Sequence, residues 1–178
     1  MFSRILFLLP FVALAVANPL VARSDISALQ TDIKQMEQTV IAIQSACNTF
    51  KADPTQVNAM RFAATTQDLD NQIKHATTDV PDHVVSDADG QEICTTLKDF
   101  FPHIIDALDC LISAKSSFGT AHVPPSAVCS VTDSLSTDNT KFIGRLDAAS
   151  PASTKACSQD LTSQVVAKAG DVKAAYNC

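Results

Sequence analysis

Ile93-Cys94-Thr95-Thr96-Leu97-Lys98-Asp99-Phe100-Phe101-Pro102-His103-Ile104-Ile105-Asp106-Ala107-Leu108-Asp109-Cys110-Leu111-Ile112 is the heart of the longest apolar-periodic segment of the chain, residues 86–118, once the first residues are set aside. Ile93, Leu97, Phe100, Phe101, Ile104, Ile105, Leu108, Leu111, Ile112 and Phe118 recur mostly at steps of three and four. On a helix those steps draw one broad apolar stripe, with Thr95, Asp99, His103, Asp106 and Asp109 on the remaining surface. A stripe this wide needs helical neighbours on more than one side. Pro102 lacks a backbone donor and its ring excludes the carbonyl four residues back, so a kink is expected there.

The same period continues on both sides of this segment. Ile26, Leu29, Ile33, Met36, Val40, Ile43, Cys47 and Phe50 alternate steps of three and four without a break, and Ser24 or Asp25 is the expected cap. Asp53-Pro54 predicts the start of a second helix, with Ala59, Phe62, Leu69, Ile73, Ala76 and Val80 before Pro81. Its seam holds fewer large residues, which leaves room beside it or brings helices close. Ser86 or Asp87 caps the central helix, expected to reach about Phe118. Ser126 opens a fourth helix through Leu146, and Ser150-Pro151 opens a fifth through Tyr176. The fold class expected is all-α, an up-and-down bundle of about five helices stapled by three disulfides.

Residues 1–17 read as a secretory leader, because Arg4, an apolar run and Ala15-Val16-Ala17 follow one another. Residues 18–178 then form a single helical domain. Loss of Arg4 moves the formal charge from -6 to -7. That acidity disfavours nucleic acid and anionic membranes as partners, and the leader's apolar run is too short to span a bilayer. The six cysteines all follow the leader, and an even number in a secreted chain implies disulfides. Alternating helices place Cys94 and Cys157 at one end of the bundle and Cys47, Cys110, Cys129 and Cys178 at the other. Cys94–Cys157 is therefore the expected pair. The other four stay open, with Cys110–Cys129 across the connecting turn and Cys47–Cys178 as the arrangement chain proximity favours.

Catalytic signatures are absent from the sequence. It holds no Gly-x-Ser-x-Gly elbow, no phosphate-binding glycine loop and no His-Glu-x-x-His helix. Asp87-Ala88-Asp89-Gly90 resembles a fragment of a calcium loop, but the register puts Val85 at the first ligand position, so helix capping is its expected role. His103 between Asp99 and Asp106 could form a relay, yet no nucleophile accompanies it. Neither a cofactor, nor a metal, nor an enzymatic activity is expected. The phenylalanines are the remaining signal. A bent helix facing small residues can leave an apolar cavity, and Phe62, Leu97, Phe100, Phe101, Ile104, Leu108, Leu111, Phe118 and Phe142 are its candidate wall, the bend at Pro102 included.

The run from Phe101-Pro102-His103-Ile104-Ile105 through Leu111-Ile112-Ser113-Ala114-Lys115-Ser116-Ser117-Phe118 resembles the fungal hydrophobic surface-binding protein A family, to which cell-wall galactomannoproteins belong. The resemblance covers roughly residues 25–176. It implies an extracellular, non-enzymatic helical protein that adsorbs to hydrophobic surfaces, recruits lipolytic enzymes to them, or captures fatty-acid-like lipids between its helices. Six cysteines exceed the family pattern, and the Ser/Thr-rich tail of wall-anchored members is missing, which favours a freely secreted protein. The expected function is thus binding of fatty acid or another apolar small molecule. The alternative is a structural wall protein or secreted effector with a dry core.

Overall fold

The structure, a computed structural model, describes residues 26–178; the leader expected over residues 1–17 and the cap expected at Ser24 or Asp25 lie outside them. Six helices follow: α1 (Ser27–Ala52), α2 (Gln56–Asp79), α3 (Asp87–Ser113), α4 (Lys115–Thr120), α5 (Pro125–Ala149) and α6 (Lys155–Tyr176). No strand occurs among the described residues. Five long helices match the periodicity. The sixth arises because the central helix breaks at Ala114, short of Phe118, and Lys115 begins a new turn.

Two helix starts, those of α2 and α3, carry a side chain that satisfies a first-turn amide. Thr55, rather than Asp53-Pro54, caps α2 by accepting from the Asn58 amide, while Asp53 accepts from the Asn58 side chain at 3.0 Å. Ser86 caps α3 as expected, its Oγ accepting from the Asp89 amide at 3.1 Å. Pro125 fills the first position of α5, one residue ahead of the expected Ser126, where no donor is needed. Ser150-Pro151 does not start α6; a turn intervenes and the helix begins at Lys155.

The long helices close into a ring. In space the order is α2, α1, α3, α6, α5 and back to α2, each packing on the next. Two apolar clusters fill it at different heights. Leu29, Ile33, Leu97 and Leu146 plug the lower part, and Phe50, Phe118, Val172 and Tyr176 the upper. Phe118 stacks at a tilt on Phe50 with centroids 4.7 Å apart and meets Tyr176 edge-on at 5.9 Å. The Tyr176 hydroxyl donates to the Leu111 carbonyl at 2.8 Å, and burial pushes this phenol well above its ordinary pKa.

The ring order decides the disulfides. They are Cys47–Cys110, Cys94–Cys157 and Cys129–Cys178. Cys94–Cys157 is the expected pair. Cys110–Cys129 and Cys47–Cys178 are overturned: the first would need α3 beside α5, and the second α1 beside α6. In fact α6 separates α3 from α5, and α3 separates α1 from α6. The bridges join α1 to α3, α3 to α6 and α5 to the residue after the end of α6. Their sequence separations are 63, 63 and 49 residues. Loops this long are each restrained by about 4 kcal/mol in the chain-entropy view.

Only α2 has no covalent staple in the ring. Apolar packing through Phe62, Ile73, Ala76 and Val80 holds it, and polar contacts add to that: Lys74 pairs with Asp70 in its own helix and reaches Asp138 of α5 at 3.4 Å, while Ser134 of α5 donates to Asp70 at 3.3 Å. Toward α1, His75 lies 3.3 Å from the Asp32 carboxylate. Burial holds the Asp32 carboxyl above its usual range, an effect His75 only partly offsets. Asp138 moves the other way, held below the usual range chiefly by its hydrogen bond from Lys141 and further by Lys74. The Asp138 contribution to stability is therefore present above the ordinary carboxylate pKa of 3.8 and is lost as the pH falls through the depressed value.

Native-state hydrogen exchange should find the amides of α2 opening at lower free energy than those of α1, α3, α5 and α6. Uniform protection across all five helices would show that the staples do not set the order of opening. A second expectation concerns Gly90, where an added Cβ would lie 2.7 Å from the Pro151 ring and 2.9 Å from the Thr154 hydroxyl. Gly90→Ala should cost about 1–3 kcal/mol in denaturant unfolding, because the start of α3 cannot withdraw while Cys94–Cys157 ties it to α6.

Candidate ligand cavity

Between the two plugs the ring is not filled. An apolar cavity of about 420 Å³ remains, within the roughly 300–1,000 Å³ typical of small-molecule sites. Every helix contributes to its wall. Met36, Val40 and Ile43 come from α1, Phe62, Leu69 and Ile73 from α2, and Val128, Leu135 and Phe142 from α5. Val165 and Ala169 of α6 complete the circuit. Along α2 the wall runs from Gln56 to Ile73, about 25 Å at 1.5 Å per residue. Long and narrow, this shape suits an extended chain better than a compact ring system.

Eight of the nine candidate residues lie on this wall: Phe62, Phe100, Phe101, Ile104, Leu108, Leu111, Phe118 and Phe142. Leu97 does not. It is 1 % exposed and belongs to the lower plug, one turn below the cavity floor, so its assignment is corrected to core. Pro102 also differs from expectation. The two phenylalanines before it face the cavity, whereas Pro102 is exposed on the outside of α3, over a shallow depression shared with Lys98 and Leu161. Ile104, Leu108 and Leu111 are only half-buried although they lie on the inner stripe, because that stripe borders empty space.

Sequence reasoning missed the contributions of α1 and α6, and of α5 beyond Phe142, because apolar seams look the same whether they meet a neighbour or a void. The thin seam of α2 was the usable signal. Ala59 and Ala63 leave the space that larger residues would occupy. Met60, Ala63, Ala127 and Val131 line the cavity and are also exposed, so it opens to solvent between the first halves of α2 and α5. Met60 is 72 % exposed, an unusual state for so large an apolar side chain beside an open core.

The remaining chemistry lies elsewhere. His103 reaches Glu37 at 3.5 Å across the seam of α1 and α3. Asp32, His75 and Asp79 bring one potential ligand atom each within 4.8 Å of one another, but they sit on the outer seam of α1 and α2 and do not line the cavity. On the wall itself, Thr66 and Thr132 donate their hydroxyl protons to the Phe62 and Val128 carbonyls one turn back. They present methyl groups to the space without leaving an unsatisfied donor. The arrangement can therefore hold an apolar body and exclude water from it.

Known proteins with this architecture show what it is related to. The likeness to the solved structure of AFMP4P in complex with palmitic acid has a TM-score of 0.79 at 22 % identity, covering 84 % of this chain and 97 % of that one. Ligand binding domain 1 of the Penicillium marneffei MP1 protein, complexed with arachidonic acids, gives 0.77 at 12 % identity over 85 % of this chain and 98 % of that one. At these identities the likeness establishes a shared fold. A cell wall galactomannoprotein of Armillaria ostoyae is 32 % identical over 151 residues, 84 % of this chain and 78 % of its own. The model of hydrophobic surface binding protein A matches residues 26–148. On that match and that identity, the chain belongs to the hydrophobic surface binding protein A family.

Proposed function

We propose that this protein binds fatty acids or similar single-chain lipids in the cavity inside the ring, entered between α2 and α5, as a secreted or wall-associated carrier without enzymatic activity. The observation that carries this reading is the long apolar void of about 420 Å³ inside a closed ring of helices. Burying one acyl chain there removes its apolar surface from water at about 25 cal/mol per Å². Palmitic and arachidonic acids in the complexes of AFMP4P and the MP1 domain support the choice of ligand class.

Surface adsorption by an opened bundle is the competing mechanism. It would expose the inner stripes of helices that three disulfides hold together in one connected series, so internal capture is favoured. A lipolytic enzyme is a fitting partner for such a carrier, since the cavity would accept the fatty acid released at the lipid surface.

Palmitate at about a hundred times its Kd should stabilise the protein by about 2.7 kcal/mol, raising the melting temperature by roughly 5–10 °C. An unchanged melting temperature, with no lipid seen by native mass spectrometry, would sink the reading. Two substitutions separate wall from core. Leu108→Trp projects extra volume into the cavity and should lower palmitate affinity by about tenfold or more, 1.4 kcal/mol per decade, with little loss of stability. Leu97→Ala should cost about 2–5 kcal/mol and leave the affinity of the folded protein unchanged, measured by calorimetric titration.

A further inference from the structure

Among the described residues, the cavity wall carries a single titratable side chain, that of His122. The other polar wall residues are neutral, and the hydroxyls of Thr66, Thr132 and Thr140 donate to carbonyls of their own helices. His122 lines the cavity at its upper end, next in the chain to Val123, and is exposed to solvent, and among the described residues its imidazole has no hydrogen-bond or ionic partner.

The backbone sets this placement. After α4 the chain reverses with the His122 amide donating to the Gly119 carbonyl at 3.1 Å and the Val123 amide to the Phe118 carbonyl at 2.9 Å. This paired closure requires a left-handed residue, a position where glycine is preferred and asparagine next best. At the end of α6 the same closure uses Asn177, at φ 58°. After α4 the left-handed residue is His122, at φ 56°. Histidine is among the non-glycine residues that enter this region most readily, and the turn fixes the base of its side chain at the lip of the apolar cavity.

We infer that His122 recognises the carboxylate of the bound lipid, so that the cavity selects free fatty acids over neutral acyl lipids of equal length. The inference rests on the lipid-binding function proposed above. A carboxylate cannot enter the apolar interior without losing its hydration, so it stays at a mouth while the acyl tail points inward toward Phe100 and Phe101. At the upper end an imidazole N–H donates to it, and the acceptor's negative charge makes that hydrogen bond stronger than one to a neutral oxygen. A fatty alcohol or methyl ester offers no anion and at most a weaker, neutral acceptor to the same N–H.

The test uses the intact protein and His122→Gly, which removes the imidazole at a position whose backbone suits glycine. Palmitate and hexadecanol are titrated against both by competition with a fluorescent acyl probe. The variant should keep or exceed the wild-type melting temperature, bind hexadecanol unchanged, and lose about fivefold in palmitate affinity, the scale of a solvent-exposed ionic contact. Unchanged palmitate affinity overturns the inference while leaving the lipid-binding function standing. Equal weakening of both ligands also overturns it, because the residue would then act only on the shape of the site. Failure of the wild-type protein to bind either ligand overturns the lipid-binding function, and this inference with it.

Discussion

Closure of five helices into a ring is the constraint from which the other features follow. Helices in contact sit about 9 Å apart, which in a regular five-membered ring puts each axis about 8 Å from the centre. No side chain spans that distance to the opposite wall. The centre is therefore filled only where large residues from several helices meet at one height. Leu29, Ile33, Leu97 and Leu146 do so below, and Phe50, Phe118 and Tyr176 above. Between them Ala59, Ala63 and Ala107 line the space, and it remains open. A four-helix bundle of the same composition would have collapsed onto a dry seam.

An unfilled core has a cost, since lining atoms lose their packing partners. The disulfides offset part of it by restricting the unfolded chain. Their distribution matters as much as their number, because they connect α1, α3, α6 and α5 in series and leave α2 to noncovalent contacts. The helix without a staple borders the mouth of the cavity. Four helices are joined covalently, and the fifth is held without a covalent bond, by apolar packing through Phe62, Ile73, Ala76 and Val80 and by polar contacts at its seams. At the lower half of the seam between α2 and α5, Asp70, Lys74, Ser134 and Asp138 supply those polar contacts. Higher up, small and exposed apolar residues part the two helices.

Much of this was legible in the residue order. The steps of three and four from Ile26 to Phe50 and through residues 86–118 specify amphipathic helices, since the side chains of one helix face recur at that spacing. Ser86 marks a helix start because its hydroxyl suits the unsatisfied first turn, and Ser126 marks the start of α5 to within one residue. Phe62, Phe100, Phe101 and Phe142 could be assigned to the cavity because aromatic residues on facing stripes border small ones. Leu97 was misplaced for a definite reason: on its own helix it shares the stripe of Phe100 and Ile104, and only its height relative to Leu29 and Leu146 makes it core. Asp53-Pro54 and Ser150-Pro151 look like helix starts, but Thr55 and the turn before Lys155 intervene.

By itself, the sequence determined which segments are helical, which face of each is apolar, that six cysteines would staple them, and that the segment around Phe100 and Phe101 borders the interior. These are local properties, set by side-chain period and by capping groups within a few residues. Tertiary structure alone decided the ring order, which puts α3 between α1 and α6 and so yields Cys47–Cys110 and Cys129–Cys178. It also decided the height of the void and the position of His122 at its lip. Those depend on which apolar faces meet across the bundle. Each helix presents a stripe that several partners could cover, and the choice among them rests on packing between segments far apart in the chain.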